Sequence, residues 1–148
     1  MQRAAIRSLQ IMVVALGLGI AAALLYEPWV EGINANATSF RDIYLDDPFL
    51  AYTHVAFIPV FVGLYYAFTF VGTMGHGPDA ARALNVVKYC ALTFAGFITG
   101  ALTYLAIFIR GTDDITGGIA IGLFLIVSSF LVAFGAHTLE ERRTGSTD

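Results

Sequence analysis

Apart from tyrosines, the groups in the apolar part of this 148-residue chain able to move a proton or bind a metal are His54, His137, Lys88 and Cys90. Two histidines among apolar segments suggest axial ligation of a haem iron. Their depths argue against it. His54 stands near the outer end of the second apolar segment, and His137 at the inner end of the fourth. At a rise of about 1.5 Å per residue, their depths differ by roughly 20 Å, too far to share one iron. Both are read as polar contacts at opposite interfaces. Cys90 is the single cysteine, which excludes an intrachain disulfide and a thiolate metal cluster.

Two further sets of side chains could bind a ligand. Phe57, Phe61, Tyr65 and Phe68 recur at helical spacing around Pro59, a pattern that could wall a site for a quinone or another hydrophobic ligand. The plainer reading is a packing or lipid-facing stripe on a helix kinked at Pro59, because proline removes one backbone bond. Asp42, Asp46 and Asp47 could offer carboxylate oxygens to a divalent cation, but calcium-loop spacing is missing. Ser39 and Asp42 instead suit a capping box on a short interfacial helix. No catalytic, cofactor or metal residue is assigned, and the chain is read as non-enzymatic and free of cofactors.

The elements that would hold these groups follow from composition. Hydrophobic residues make up 57% of the chain and charged residues 13%, against roughly a quarter charged in soluble domains. Mean hydropathy is +0.74. So few polar groups cannot cover a soluble fold, whereas lipid can. The net charge of −3 offers no basic stripe for nucleic acid.

Four apolar runs free of Asp, Glu and Arg, at about 9–26, 49–74, 84–109 and 117–136, are each long enough for a hydrocarbon core of about 30 Å. Residues 1–148 are therefore read as one all-α membrane domain, a four-helix bundle with an acidic outer loop at 27–48. Asp47 and Pro48 suit the N-cap and first turn of the second helix, and Pro78-Asp79 repeats the signal before the third. Glu27-Pro28 is expected to end the first helix, and Thr116 to cap the fourth. A cleavable signal peptide competes for the first run, with Arg3 and Arg7 ahead of it and alanines at 21–23. The run's length and the anchor-like Tyr26-Glu27-Pro28-Trp29 favour a retained helix.

Cation placement sets the expected orientation. Arg3, Arg7, Arg82, Lys88, Arg142 and Arg143 fall on one side, and only Arg41 and Arg110 on the other. Both termini and the 75–83 loop are thus expected in the cytoplasm of a cell-membrane protein, with Lys88 snorkelling to the headgroups. Glu27, Glu31, Asp42, Asp46, Asp47, Asp113 and Asp114 then make the outer side acidic, and the glycosylation sequon at Asn36-Ala37-Thr38 lies there too.

Small residues four apart, Gly96 with Gly100 and Gly118 with Gly122, allow close helix approach in lipid. They serve packing within the chain or dimerisation, and with four helices in one chain the former is expected.

Three stretches resemble the bacterial membrane-protein family catalogued as domain of unknown function DUF2975. They are Asp47-Pro48-Phe49-Leu50-Ala51-Tyr52, continuing through Phe57-Ile58-Pro59-Val60-Phe61 and Leu64-Tyr65; Ala83-Leu84-Asn85-Val86-Val87-Lys88-Tyr89-Cys90-Ala91; and Asp113-Asp114 ahead of a glycine-bearing helix with Ser128 and Ser129. The resemblance implies a four-helix bacterial membrane protein without established catalytic residues. Its association with small helix-turn-helix regulators implies membrane-linked sensing.

The leading expectation is a protein that acts by associating with itself or with a membrane-protein partner, as a sensor or accessory subunit in the lipid bilayer. The alternatives are a small transporter or channel subunit using Pro59 and the threonines, and a quinone- or haem-binding protein. A proton-coupled carrier normally needs an intramembrane carboxylate or relay, and none stands in the four runs.

Overall fold

The computed structural model of the chain describes residues 2–30, 39–44, 48–73, 78–109 and 116–144. Helix α1 spans Gln2–Val30, α2 Phe40–Tyr44, α3 Pro48–Gly72, α4 Pro78–Tyr104 and α5 Thr116–Thr144. A π-helical turn, Leu105–Ile109, continues α4. Among the described residues four helices are long and apolar enough to cross a membrane, over Arg3–Tyr26, Pro48–Gly72, Asp79–Phe108 and Thr116–Arg142. The protein is an all-α, four-helix membrane bundle. Glu31, Asn36 to Thr38, Asp46, Asp47, Arg110, Asp113 and Asp114 lie outside the described residues.

Two helices outrun their apolar segments. The α1 backbone stays helical through Pro28 to Val30, so Glu27-Pro28 does not end it. Proline's preference against a helical predecessor is a bias, and in a last turn its missing N–H removes a single bond. At the other end of the chain, α5 runs on through Leu139-Glu140-Glu141-Arg142 to Thr144. Strong helix formers fill that stretch, and the first breaker is Gly145. Elsewhere α3 passes through Pro59 without interruption, and α2 starts directly after Ser39, whose carbonyl accepts the Ile43 N–H at 3.1 Å.

Extensive packing joins α3 to α4 and α4 to α5, and a lighter seam joins α1 to α3. The bundle is thus assembled in chain order around α4, which is covered on two flanks. Side-chain pairs fix the antiparallel register of α3 and α4. Tyr52 meets Phe97 at a ring separation of 5.5 Å, Phe57 meets Phe94 at 5.0 Å, and a Cβ on Gly63 would lie 3.3 Å from Cys90 Cβ. The buried set is rich in small residues, including Ala56, Ala80, Ala83, Ala95, Ala133 and Ala136, which bring helix axes close and raise dispersion contact. Outward faces carry Ile107, Phe124, Leu131 and Phe134, each at least 66% exposed. Such a surface would aggregate in water and is at home in acyl chains.

The four packing glycines play different parts. A Cβ on Gly122 would stand 2.5 Å from Leu102 Cδ2, so α5 approaches α4 only because that atom is missing. On Gly100 it would stand 2.8 Å from the Tyr52 hydroxyl, and on Gly118 at an ordinary 3.7 Å from Leu105. Gly96 meets nothing within 4 Å. It sits on the exposed face of α4, so the expected use of the Gly96 and Gly100 pair as an intrachain seam fails at Gly96.

Gly122→Leu should therefore destabilise the folded chain by about 1–3 kcal/mol through overpacking, whereas Gly96→Leu should cost far less. Denaturant titration of helicity in mixed micelles checks the contrast.

Candidate functional site

The helix contacts define two ends of the bundle. Gln10, near the start of α1, lies against Gly72 at the end of α3, and Lys88, in the first turns of α4, meets Glu140 at the end of α5. These four termini form one end, here called proximal. At the opposite, distal end, the Tyr44 hydroxyl of α2 donates to the Leu25 carbonyl of α1 at 3.0 Å.

An aromatic cleft of about 390 Å³ opens at the distal end between α3 and α4, lined by Pro48, Phe49, Tyr52, Gly100, Ala101 and Tyr104. Pro48 starts α3, and helical spacing then puts Phe49 and Tyr52 on the side facing α4. The Phe49 and Tyr104 rings stack at 6.1 Å, and the π-helical turn leaves Phe108 5.0 Å from Tyr104. Tyr52 donates its hydroxyl to the Phe97 carbonyl at 2.8 Å, so this phenol of the cleft is committed to structure. The absent Cβ of Gly100 makes room for it.

The four aromatics singled out on the second span do not form a common wall. Phe57 is paired with Phe94 in the α3–α4 seam. Phe61 is 38% exposed and Tyr65 64%, while Phe68 lines a different groove, against α1. Sequence spacing gave their shared helix but not the neighbours that divide them. The aromatics that do converge come from two helices, which spacing along one helix cannot reveal.

His54 sits one turn into α3 and donates from Nδ1 to the Leu50 carbonyl at 2.8 Å, a bond that puts the ring proton on Nδ1. Its ring meets Tyr44 edge-on at 5.6 Å, and Nε2 is buried without a hydrogen-bond partner. His137 lies toward the proximal end of α5, 3.4 Å from Glu141 one turn on. Counting from the distal starts of α3 and α5, the two histidines differ in depth by about 20 Å. No three histidine, cysteine or acidic side chains cluster as a metal site among the described residues.

Lys88 and Glu140 form a charge-assisted contact between α4 and α5. Nζ donates to Oε2 at 2.9 Å, and the two side chains are only 19% and 26% exposed. Sequence reading left Lys88 to the headgroups and stopped the fourth helix near 136, one turn short of its partner. Once α5 is extended, the pair clamps the proximal ends of α4 and α5. Tyr89 adds a ring face 5.4 Å from the ammonium.

A separate feature is the face of α4 turned away from α3 and α5. Tyr89, Leu92, Thr93, Gly96, Thr99 and Thr103 are all exposed there and recur every three or four residues along one side, with Gly100 at the border against Tyr52 of α3. Thr99 and Thr103 donate back to the Ala95 and Thr99 carbonyls, both at 2.8 Å. The strip is thus smooth, small and internally satisfied, in contrast to the bulky outward face of α5. Of the cations expected to set topology, Arg3, Arg7, Arg82 and Arg142 are exposed and belong with Lys88 to the proximal end, as does Arg143 in the last turn of α5.

Glu140→Gln should lower the melting temperature of the purified protein, and Lys88→Met with Glu140→Leu should recover most of the loss, because no unpaired charge remains. Circular-dichroism melts of the three proteins in one detergent decide it.

The comparisons with known proteins bear on the whole chain. It is 30% identical over 139 residues to the uncharacterised membrane protein YoaS of Bacillus subtilis (strain 168), across 90% of this chain and 85% of that protein. No protein-family model matches, so the resemblance to DUF2975 rests on its quoted motifs alone, and no solved structure matches. With that identity sustained over nearly the full length of both proteins, the chain belongs to the family of the membrane protein YoaS.

Proposed function

We propose that this membrane protein is not an enzyme and works by association, through the exposed face of α4, with a second copy or a membrane-protein partner as a sensor or accessory subunit. One observation carries the reading. Gly96 has nothing within 4 Å of the position a Cβ would take, yet it stands mid-helix on a strip with Thr93, Thr99 and Thr103. A helical glycine costs roughly 0.5–1 kcal/mol relative to alanine. Among the described residues nothing packs on Gly96 to offset that cost, whereas a helix docked on the strip would, since small residues let backbones come close in lipid.

The strip's chemistry supports association over conduction. Its bonded hydroxyls, Thr99 and Thr103, are turned onto their own helix, which suits a dry interface better than a water-lined path. Topology belongs to the same proposal: Arg3, Arg7, Arg82, Lys88, Arg142 and Arg143 place the proximal end in the cytoplasm. Both termini are then inside, and the protein resides in the cell membrane.

The full-length protein in gentle detergent or lipid nanodiscs should run as a dimer or a larger complex. Gly96→Leu should convert it to monomer without loss of helicity, while Gly117→Leu, also open to space but on α5, should not. Light-scattering mass measurement reads the result, and a wild-type protein that stays monomeric and recovers no partner from native membranes would falsify the proposal. A terminal fluorescent-protein fusion should glow and an alkaline-phosphatase fusion at the same site stay inactive, which tests the orientation.

A further inference from the structure

The seam between α1 and α3 is closed at two points and open between them. Near the proximal end Gln10 covers Gly72, and toward mid-membrane the Leu64 side chain reaches Gly17, 3.5 Å from where its Cβ would stand. Between these contacts lies a groove of about 520 Å³, lined by Arg7, Gln10, Ile11, Val14, Ala15, Leu18 and Phe68. Ile11, Val14, Ala15 and Leu18 recur as one helical stripe, with Phe68 across from them on α3. Arg7 stands one turn proximal to Ile11 and has no carboxylate partner among the described residues.

The groove therefore has a charged, hydrogen-bonding head and an apolar body. From Arg7 to Leu18 the helix rises about 16 Å, close to half of a hydrocarbon core of about 30 Å. That is the reach of one leaflet. We infer that this groove is a binding site for one anionic phospholipid, its phosphate against Arg7 and the Gln10 amide and an acyl chain along Val14, Leu18 and Phe68. A basic group at headgroup level beside an apolar inter-helix groove is the arrangement that selects an anionic headgroup. Zwitterionic lipid fills the same apolar body but gains no net charge attraction at Arg7. The bound lipid fills the α1–α3 seam, which no other helix covers extensively.

The test takes the full-length protein from vesicles of equimolar phosphatidylglycerol and phosphatidylcholine with matched acyl chains, and reads retained lipid by native mass spectrometry. Wild type should keep phosphatidylglycerol about fivefold over phosphatidylcholine. Arg7→Gln should bring the ratio close to one. Ala15→Phe, which blocks the groove but leaves the charge, should lose most bound lipid while helicity persists. Equal retention of the two lipids by wild type, full selectivity in Arg7→Gln, or undiminished lipid in Ala15→Phe overturns the inference. Since α4 is not involved, the result stands apart from whatever oligomeric state the same spectra report.

Discussion

Lipid cannot hydrogen-bond a backbone, and this one constraint shapes every level of the structure. Each spanning segment must be helical from end to end, so that its N–H and C=O groups are satisfied within it. Side chains obey the same requirement. Thr53, Thr69, Thr99, Thr103, Ser129 and Thr138 all donate to a carbonyl three or four residues back on their own helix. These residues would be poor helix formers in water, where hydroxyls compete for the backbone. In hydrocarbon the competition becomes the solution. Polar side chains are thereby largely withdrawn from helix–helix recognition, which falls to shape.

Shape acts through missing atoms. Lipid tails are as apolar as leucine, so burying one helix face on another gains little from water exclusion, and close contact must supply the energy. Gly63 against Cys90, Gly100 against Tyr52 and Gly122 against Leu102 are places where an added Cβ would crowd a neighbouring helix, as Gly72 against Gln10 is on the α1 seam. The first three are contacts of α4, the helix packed on both sides. By contrast α1 contributes no buried residue to the span it forms and meets α3 through sparse contacts such as Gly17–Leu64 and Gln10–Gly72. The chain thus has a tight α3–α4–α5 body and a lightly attached first helix.

Much of that architecture was legible in the sequence, because span length and apolar content answer to bilayer thickness alone. Pro48 and Pro78 marked helix starts for a local reason, the fixed φ and missing N–H that suit a first turn. What escaped was whatever depends on a partner helix. Spacing put Gly96 and Gly100 on one face but could not say that Gly100 meets Tyr52 of α3 while Gly96 is left open. Likewise, Phe57 and Phe68 share a stripe, yet one packs on α4 and the other borders α1. Glu140 was missed because an apolar-run criterion stops where charges begin, although helix propensity carries α5 through them.

The sparse α1 contacts and the tight body give the molecule two kinds of unfinished surface, and their chemistry separates their partners. On α4 the open face is narrow-waisted, bonded within itself and uncharged over Leu92 to Thr103, so it can reward only something that matches its contour at van der Waals distance. A fluid acyl chain does so poorly, because it must give up conformational freedom to follow a fixed surface; another helix is already ordered. On the α1–α3 seam the open groove is headed by an arginine and widens into apolar side chains, a profile that rewards an amphiphile. A rigid helix would have to desolvate Arg7 without repaying it, whereas a phosphate compensates the charge directly. The same constraint that satisfies every helix internally thus leaves contour and isolated charge as the means of discrimination, and the two faces use one each.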